Sequence, residues 1–161
     1  MKFTLKRLPQ FCGDKASFYT VASNDTELFR SFLIENTKLF EAELLNILGR
    51  IKNMGMKNGA TDNFFRLDES EDANDEKVVA IKDLPSSKLR LYCVRMSDSL
   101  VVLGGGGPKP KNVFRWQDDL KLKKEAHKIM SVSNLIELKI SHGKLKITDD
   151  GLSFQGDLQL N

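Results

Sequence analysis

Residues 77–107, KVVAIKDLPSSKLRLYCVRMSDSLVVLGGGG, decide the fold because they contain three apolar segments separated by short links. The segments start at Val78, Leu89 and Leu100. The link PSS is made of turn residues, and the link MSDS is short enough for a tight antiparallel turn. We therefore predict three consecutive antiparallel strands between residues 77 and 104.

Two other periodic patterns precede this meander. KFTLKRL and SFYTVA alternate apolar and polar residues, which predicts a β-hairpin at residues 2–22. Apolar residues at helical spacing then predict two helices between residues 26 and 54. Asn24 and Glu27 have the spacing of a capping box at the start of the first helix.

The segment after the glycines returns to helical periodicity in WQDDLKLKKEAHKIMSV, where Asp118 or Asp119 can begin a helix. The residues that can face the sheet are Leu120, Ala126, Ile129 and Met130. The tail IELKISHGKLKITDDGLSFQGDLQL alternates again and contains the turn pairs His142-Gly143 and Asp150-Gly151. This pattern predicts two or three further strands.

These elements predict an α+β protein, with two N-terminal helices packed on an antiparallel sheet and an additional β-rich extension at the C-terminus. The main domain covers residues 1–131, and the extension covers residues 132–161 and packs on the same domain. The stretch at 68–76, DESEDANDE, is too acidic to fold alone and is predicted to be an exposed loop.

The composition is that of a globular protein, with 40% hydrophobic and 29% charged residues in 161. No apolar run approaches the ~20 residues of a membrane helix, and MKFTLKRLPQF lacks the apolar core of a signal peptide. We therefore expect a cytoplasmic protein without a membrane partner. Cys12 and Cys93 have no metal-binding or redox spacing, which favours reduced thiols.

The net charge of +3 conceals an uneven distribution. Residues 82–130 contain eleven Lys or Arg and five Asp or Glu, a local surplus of six positive charges. Such a surplus can attract a polyanion, although lysines on a helix can equally form a solvated face.

Motifs for cofactors and metals are missing from the sequence. GGGGPK lacks the spacing and the GK[ST] ending of a P-loop, and the acidic stretch lacks the pattern of a calcium loop. His127 and His142 have no nucleophile or metal ligand at a suitable spacing. We therefore predict no cofactor and no metal.

The meander offers a cationic surface instead. Strand alternation places Arg90 and Tyr92 on one face of the middle strand and Leu89, Leu91 and Cys93 on the other. The apolar side is the expected core, so Arg90 and Tyr92 are predicted to lie on an open face. The glycines at 104–107 can form a phosphate cradle, an RNA-binding edge or a β-bulge, and they allow the basic tail to return over that face.

The order of elements and the text VVAIKDLPSSKLRLYCVRMSDSLVVLGGGGPKPK resemble the RelE/HigB superfamily of toxins from toxin–antitoxin systems. The motif consists of a strand ending in a basic residue, an Arg-hydrophobic-Tyr strand, an apolar strand and a Gly-plus-Lys run. The resemblance covers residues 78–111 in motif and about residues 20–130 in the order of elements. The tyrosine or histidine that many members carry after the basic loop is missing.

The resemblance implies an endoribonuclease that cleaves mRNA without a metal, associates with the ribosome and is held in check by a small antitoxin protein. Arg90 would steady the scissile phosphate, and Lys82 would serve as proton acceptor or charge partner for the attacking 2′-hydroxyl. Clustered cations of this kind stabilise the extra charge of a five-coordinate phosphorane. The residues expected to bind RNA are Lys88, Tyr92, Lys109, Lys111 and Arg115. The alternative is a non-enzymatic module that binds nucleic acid or an acidic protein through the same basic face.

Overall fold

A computed structural model describes residues 2–66, 77–82, 89–109 and 119–161. Within these ranges the chain forms a mixed seven-stranded sheet, three α-helices and a separate two-stranded hairpin. The elements are β1 Thr4–Arg7, β2 Ser17–Ser23, β3 Thr26–Glu27, α1 Leu28–Asn36, α2 Glu41–Asn53, β4 Phe65–Arg66, β5 Val78–Ile81, β6 Leu89–Ser97, β7 Leu100–Pro108, α3 Leu120–Ser141, β8 Leu145–Ile147 and β9 Phe154–Gly156.

The predicted meander is confirmed, because β5, β6 and β7 pair in sequence and are antiparallel. Val78 lies opposite Val94, and Ser97 lies opposite Leu100 across a two-residue turn. The third strand continues through the glycines to Pro108. The predicted N-terminal hairpin of β1 and β2 and the two predicted helices α1 and α2 are confirmed as well.

The sheet is mixed rather than antiparallel, with the strand order β1-β2-β7-β6-β5-β4 and β3 beside β2. The pair β2–β7 is parallel, in a register that runs from Ser17 opposite Leu100 to Thr20 opposite Leu103. A parallel pair requires a long crossover, and here α1, α2 and the strands β4 to β6 all lie between the two partners along the chain. The expectation of a wholly antiparallel sheet is therefore wrong at this pair.

The capping box predicted at Asn24 is absent from the start of α1. Asn24 and Asp25 have φ values of 52° and 65° and form the turn between β2 and β3. Asn and Asp tolerate this left-handed backbone better than other residues with a Cβ. The helix begins after Glu27, whose side chain makes no capping hydrogen bond.

Helices cover both faces of the sheet, and each face has its own apolar core. We call them the α1/α2 face and the α3 face. A strand buried on both sides carries a nearly continuous apolar run, which explains LRLYCV and LVVL. The α1/α2 face includes Phe29, Phe32, Ile47, Ile51, Leu89, Leu91 and Cys93, and the α3 face includes Leu122, Ala126, Ile129, Val132, Ile136, Tyr92 and Val94.

The C-terminal extension is partly helical, which corrects the β-rich prediction for residues 132–161. Helix α3 continues to Ser141 and is followed by Gly143 with a φ of 73°. The rest matches the prediction of strands, because β8 and β9 form an antiparallel hairpin. Phe154 of this hairpin packs edge-on against Tyr19, with the two ring centroids 5.0 Å apart, so the hairpin shares the core of the α3 face.

Candidate functional site

Two of the predicted site residues, Lys82 and Arg90, lie at the same end of the β5–β6 pair: Lys82 directly follows β5, and Arg90 is the second residue of β6. The β5–β6 ladder ends with Ala80 opposite Tyr92, and its register, extended by two residues beyond that pair, would set Lys82 opposite Arg90. The backbone remains extended at Lys82, whose N–H donates to the Phe64 carbonyl at 2.8 Å. Both side chains therefore start from the α3 face of the sheet.

Lys109 and Lys121 reach the same end of the sheet. Arg90 lies opposite Gly107 in the β6–β7 ladder, and Lys109 directly follows Pro108, the last residue of β7. A Cβ on Gly107 would lie 3.0 Å from Cε of Lys121, so the Lys121 stem crosses the strand at that point. We call Lys82, Arg90, Lys109 and Lys121 the cationic end. The sequence pattern did not single out Lys121, because only the packing of α3 on β7 places it there.

The prediction that Arg90 and Tyr92 lie on an open face is wrong. Arg90 is 6% exposed and Tyr92 is 1% exposed. The reason is α3, whose apolar stripe covers the face of β6 that the sequence pattern left open. One Nη of Arg90 donates to the Leu89 carbonyl at 3.2 Å. Lys82 is exposed and Lys109 is half-buried, so these two lysines are the accessible ones among the predicted site residues that the structure describes.

Several expectations concern residues outside the described ranges. They are the positions of Lys88, Lys111 and Arg115, and the exposure of the acidic stretch at 68–76. They remain predictions.

The glycine run contains a β-bulge, which is one of the three structures that its sequence allowed. Leu91 pairs with Gly106 and Cys93 with Leu103, so two residues of β7 stand opposite the single Tyr92 of β6. A Cβ on Gly104 would lie 2.8 Å from Cδ1 of Ile129, and a Cβ on Gly106 would collide with the Arg90 carbonyl oxygen. The glycines therefore permit close packing of α3 on β7 and of β6 beside it.

Arg95, the second arginine of β6, has a structural role. Its guanidinium donates to the Ala60 carbonyl at 2.8 Å and to the carboxylates of Asp62 and Asp98 at 2.5 and 2.6 Å. It also lies 5.2 Å from the ring centre of Phe65. These contacts join the β6–β7 turn to the segment before β4, at the end of the sheet opposite Arg90.

A cavity of about 400 Å³ lies away from the cationic end, between α3 and Phe3, the residue before β1. Its lining combines basic side chains with apolar ones: Phe3, Lys124, His127, Lys128, Ser131 and Leu135. It shares none of these residues with the cationic end. The volume of this cavity is therefore not by itself a reason to place the predicted RNA cleavage there.

The described ranges of the chain contain neither a cluster of metal ligands nor a membrane-spanning helix. There, no group of three or more His, Cys, Asp or Glu side chains is arranged to hold a metal ion. The helices formed by these residues are too short or too polar to cross a membrane.

The described residues define an α+β protein whose mixed sheet is covered by helices on both faces and followed by a small hairpin. No family model, no curated protein and no solved structure matches the chain.

Proposed function

We propose that this protein is a RelE-like toxin that cleaves mRNA without a metal and binds the RNA backbone at its cationic end. The observation that supports the proposal is that Lys82, which follows β5, and Arg90 of β6 lie at one end of the sheet, with Lys109 and the stem of Lys121 at the same end. Ammonium and guanidinium groups attract phosphate oxygens and stabilise the negative charge that develops during phosphoryl transfer. The ribosome is the proposed place of action, in the cytoplasm.

The exposed Lys82 has the main chemical role in this proposal. It contacts the attacking 2′-hydroxyl as proton acceptor or charge partner. The proton of the 2′-hydroxyl passes to Lys82 or, when Lys82 is the charge partner, to water; the 2′-oxygen bonds to phosphorus, the bond to the 5′-oxygen breaks, and that oxygen takes up a proton from water. Arg90 supports the charge of the phosphorane from beneath, and Lys109 binds the neighbouring phosphate. Positioned proton transfer of this kind contributes about 10²- to 10⁴-fold to a rate.

A small antitoxin protein is the proposed partner. The support comes from large apolar side chains that are exposed on the helical hairpin of α1 and α2, namely Ile34, Leu39 and Leu45. Apolar surface of this kind is typical of sites that another protein covers.

The burial of Arg90 favours a second candidate, a module that binds RNA without cleaving it. A guanidinium that is 6% exposed cannot wrap around a phosphate as an exposed arginine can. In that case Lys82 and Lys109 would hold the RNA backbone and no bond would break.

The test compares the wild-type protein with Lys82→Ala on a defined mRNA in EDTA, with cleavage sites mapped by primer extension and RNA binding measured in parallel. We expect Lys82→Ala to lower cleavage by about 100-fold or more at an unchanged melting temperature, because this lysine is exposed. Lys57→Ala is the matched control. Lys57 is also exposed but lies in the helical turn Met54–Asn58, near the end of the sheet opposite Arg90.

The outcomes separate the two candidates. If the wild-type protein binds RNA and Lys82→Ala weakens that binding, but no cleavage occurs on free or ribosome-bound mRNA, the binding module is correct. Equal cleavage by wild type and Lys82→Ala would contradict the proposed chemistry. Arg90→Ala is a poor test, because removing a buried arginine also changes the packing beneath α3.

A further inference from the structure

A crevice opens where the two parallel strands separate, at the carboxyl ends of β2 and β7. After β2 the chain passes through β3 into α1, which covers one face of the sheet, whereas the helix that follows β7, α3, covers the other face. The β2–β7 ladder ends at Thr20 and Leu103, and beyond it the glycine run of β7 is paired with β6 but not with β2. Adjacent parallel strands whose connections diverge in this way form the crevice in which open α/β sheets bind ligands.

This glycine crevice has a volume of about 140 Å³. That is the space of four or five water molecules at ~30 Å³ each, and far below the ~300 Å³ at which pockets for drug-sized ligands begin. The glycine crevice therefore holds one small ring rather than a whole nucleotide. Its lining includes Thr26, Ser31 and Glu35 from β3 and α1, Gly105 from β7, and Glu125 and Lys128 from α3.

The charges of the glycine crevice compensate one another, which limits the chemistry of its ligand. Glu35 pairs with Lys121 at 2.9 Å, and Glu125 pairs with Lys128 at 3.3 Å. An anionic ligand would meet two carboxylates, and a cationic ligand would have to displace two lysines. A neutral ligand with several hydroxyl groups can donate to the carboxylate oxygens while both ion pairs persist. The hydroxyls of Thr26 and Ser31 add donors and acceptors.

Glycine at position 105 is what allows Glu125 to line the crevice. A Cβ at this position would lie 2.6 Å from Oε2 of Glu125, so the carboxylate rests directly on the Gly105 backbone. The Glu125 side chain is 13% exposed, and the packing therefore leaves it little freedom to turn away. The sequence signals for this arrangement are the glycine run and the Lys121–Glu125–Lys128 spacing on α3.

We propose that the glycine crevice binds the ribose of a ribonucleotide, with Glu125 and Glu35 accepting hydrogen bonds from its 2′- and 3′-hydroxyls. The choice of ribose among small polyhydroxyl rings rests on the proposed function. Lys121 connects the cationic end to the glycine crevice. Its stem crosses Gly107, which lies opposite Arg90, and its ammonium pairs with Glu35. Recognition of the 2′-hydroxyl is how a protein distinguishes RNA from DNA, so the glycine crevice supplies RNA specificity to a cationic end that by itself binds any phosphate.

The experiment measures the binding of adenosine and of 2′-deoxyadenosine by calorimetry, with the intact chain and without phosphate groups. We expect adenosine to bind at least about 10-fold more tightly than 2′-deoxyadenosine, because a hydrogen bond to a charged group contributes about 1.5–3 kcal/mol. Gly105→Ala should abolish this preference, because the added Cβ would take the position of the Glu125 carboxylate oxygen and displace it from the crevice.

Gly49→Ala is the matched control, since a Cβ on Gly49 meets no atom within 4 Å. It should bind adenosine like the wild-type protein. Glu125→Gln provides a second variant that keeps the size of the side chain, and it should weaken adenosine binding about 10-fold even if Gly105→Ala lowers the melting temperature. The ribose proposal is wrong if adenosine does not bind, if both nucleosides bind equally, or if Glu125→Gln binds adenosine like the wild-type protein.

The ribose test is independent of the cleavage test. Adenosine preference without mRNA cleavage would support the glycine crevice and contradict the ribonuclease. Cleavage that depends on Lys82 without any adenosine preference would support the ribonuclease and contradict the glycine crevice.

Discussion

Thr20 shows how a single buried polar group organises the centre of the molecule. Its hydroxyl donates to the Leu103 carbonyl at 2.8 Å and accepts the Phe29 N–H at 3.2 Å. One side chain thus joins β2, the parallel strand β7 and the first turn of α1 at the point where the glycine crevice opens. A buried hydroxyl with both partners satisfied stabilises the fold, whereas loss of the hydroxyl leaves both backbone groups without this partner.

We expect Thr20→Val to lower the free energy of unfolding by about 1–3 kcal/mol, because the shape of the side chain is kept and two hydrogen bonds are lost. Urea unfolding followed by circular dichroism measures this change. Thr37→Val is the comparison, since Thr37 is exposed at the end of α1 and should change stability by less than about 0.5 kcal/mol. Equal effects at both positions would show that Thr20 does not join these three elements.

The C-terminal part of α3 has a sequence that fits both the two-residue period of a strand and the 3.6-residue period of a helix. Ile136, Leu138 and Ile140 alternate with polar residues, which is why this segment reads as a strand. The same text also places Val132 and Ile136 four residues apart, and both are fully buried against the sheet. In the helix Leu138 turns outward and is 53% exposed. The long-range contact with the sheet selects the helical period.

Substitutions at these positions distinguish the two structures. A helix predicts that Ile136→Ala costs about 2–5 kcal/mol of unfolding free energy, as expected of a buried aliphatic side chain. It also predicts that Leu138→Lys changes stability by less than about 0.5 kcal/mol. In a strand the two residues would share a face and behave alike. Similar large losses for both variants in urea unfolding would contradict the helix from Val132 to Ser141.

At the scale of the whole molecule, the sheet lies between two helical layers, and side chains on its central strands are shielded from solvent on both sides. Cys93 of β6 is completely buried on the α1/α2 face, and this burial raises the pKa of its thiol far above the ordinary range. Cys12 is only half-buried, beside the N–H of Phe18. The two thiols therefore report on different parts of the fold.

We expect iodoacetamide to modify Cys93 only after global unfolding, because the thiolate is the reactive form and burial suppresses it. In a Cys12→Ser protein the labelling rate should rise with urea in parallel with the unfolded fraction. Since the thiol ionises in the unfolded chain above about pH 8.5 but not in the folded protein, stability should fall as pH rises beyond that value. Fast labelling of Cys93 in the native protein would contradict this packing.

The sequence by itself determined the elements that depend on neighbouring residues. The meander of β5 to β7, the helical hairpin of α1 and α2 and the hairpin of β1 and β2 follow from local period and short links, and all of them are confirmed. The alternation of LRLYCV also separated Arg90 and Tyr92 correctly from Leu89, Leu91 and Cys93. The glycine run and three of the four residues of the cationic end, Lys82, Arg90 and Lys109, were likewise visible in the sequence.

Only the tertiary structure decided what covers each face of the sheet. Strand alternation states which side chains share a face, but it cannot state that α3 returns over Arg90 and Tyr92 and buries them. The parallel pairing of β2 with β7 joins residues that are 83 apart in the chain, such as Thr20 and Leu103, and no local pattern encodes such a pairing. The glycine crevice depends on this parallel pairing and on the helices that cover the two faces. It lies where β2 and β7 separate and where α1 and α3 lie on opposite faces of the sheet. Its residues therefore come from three distant segments and meet only in the folded protein.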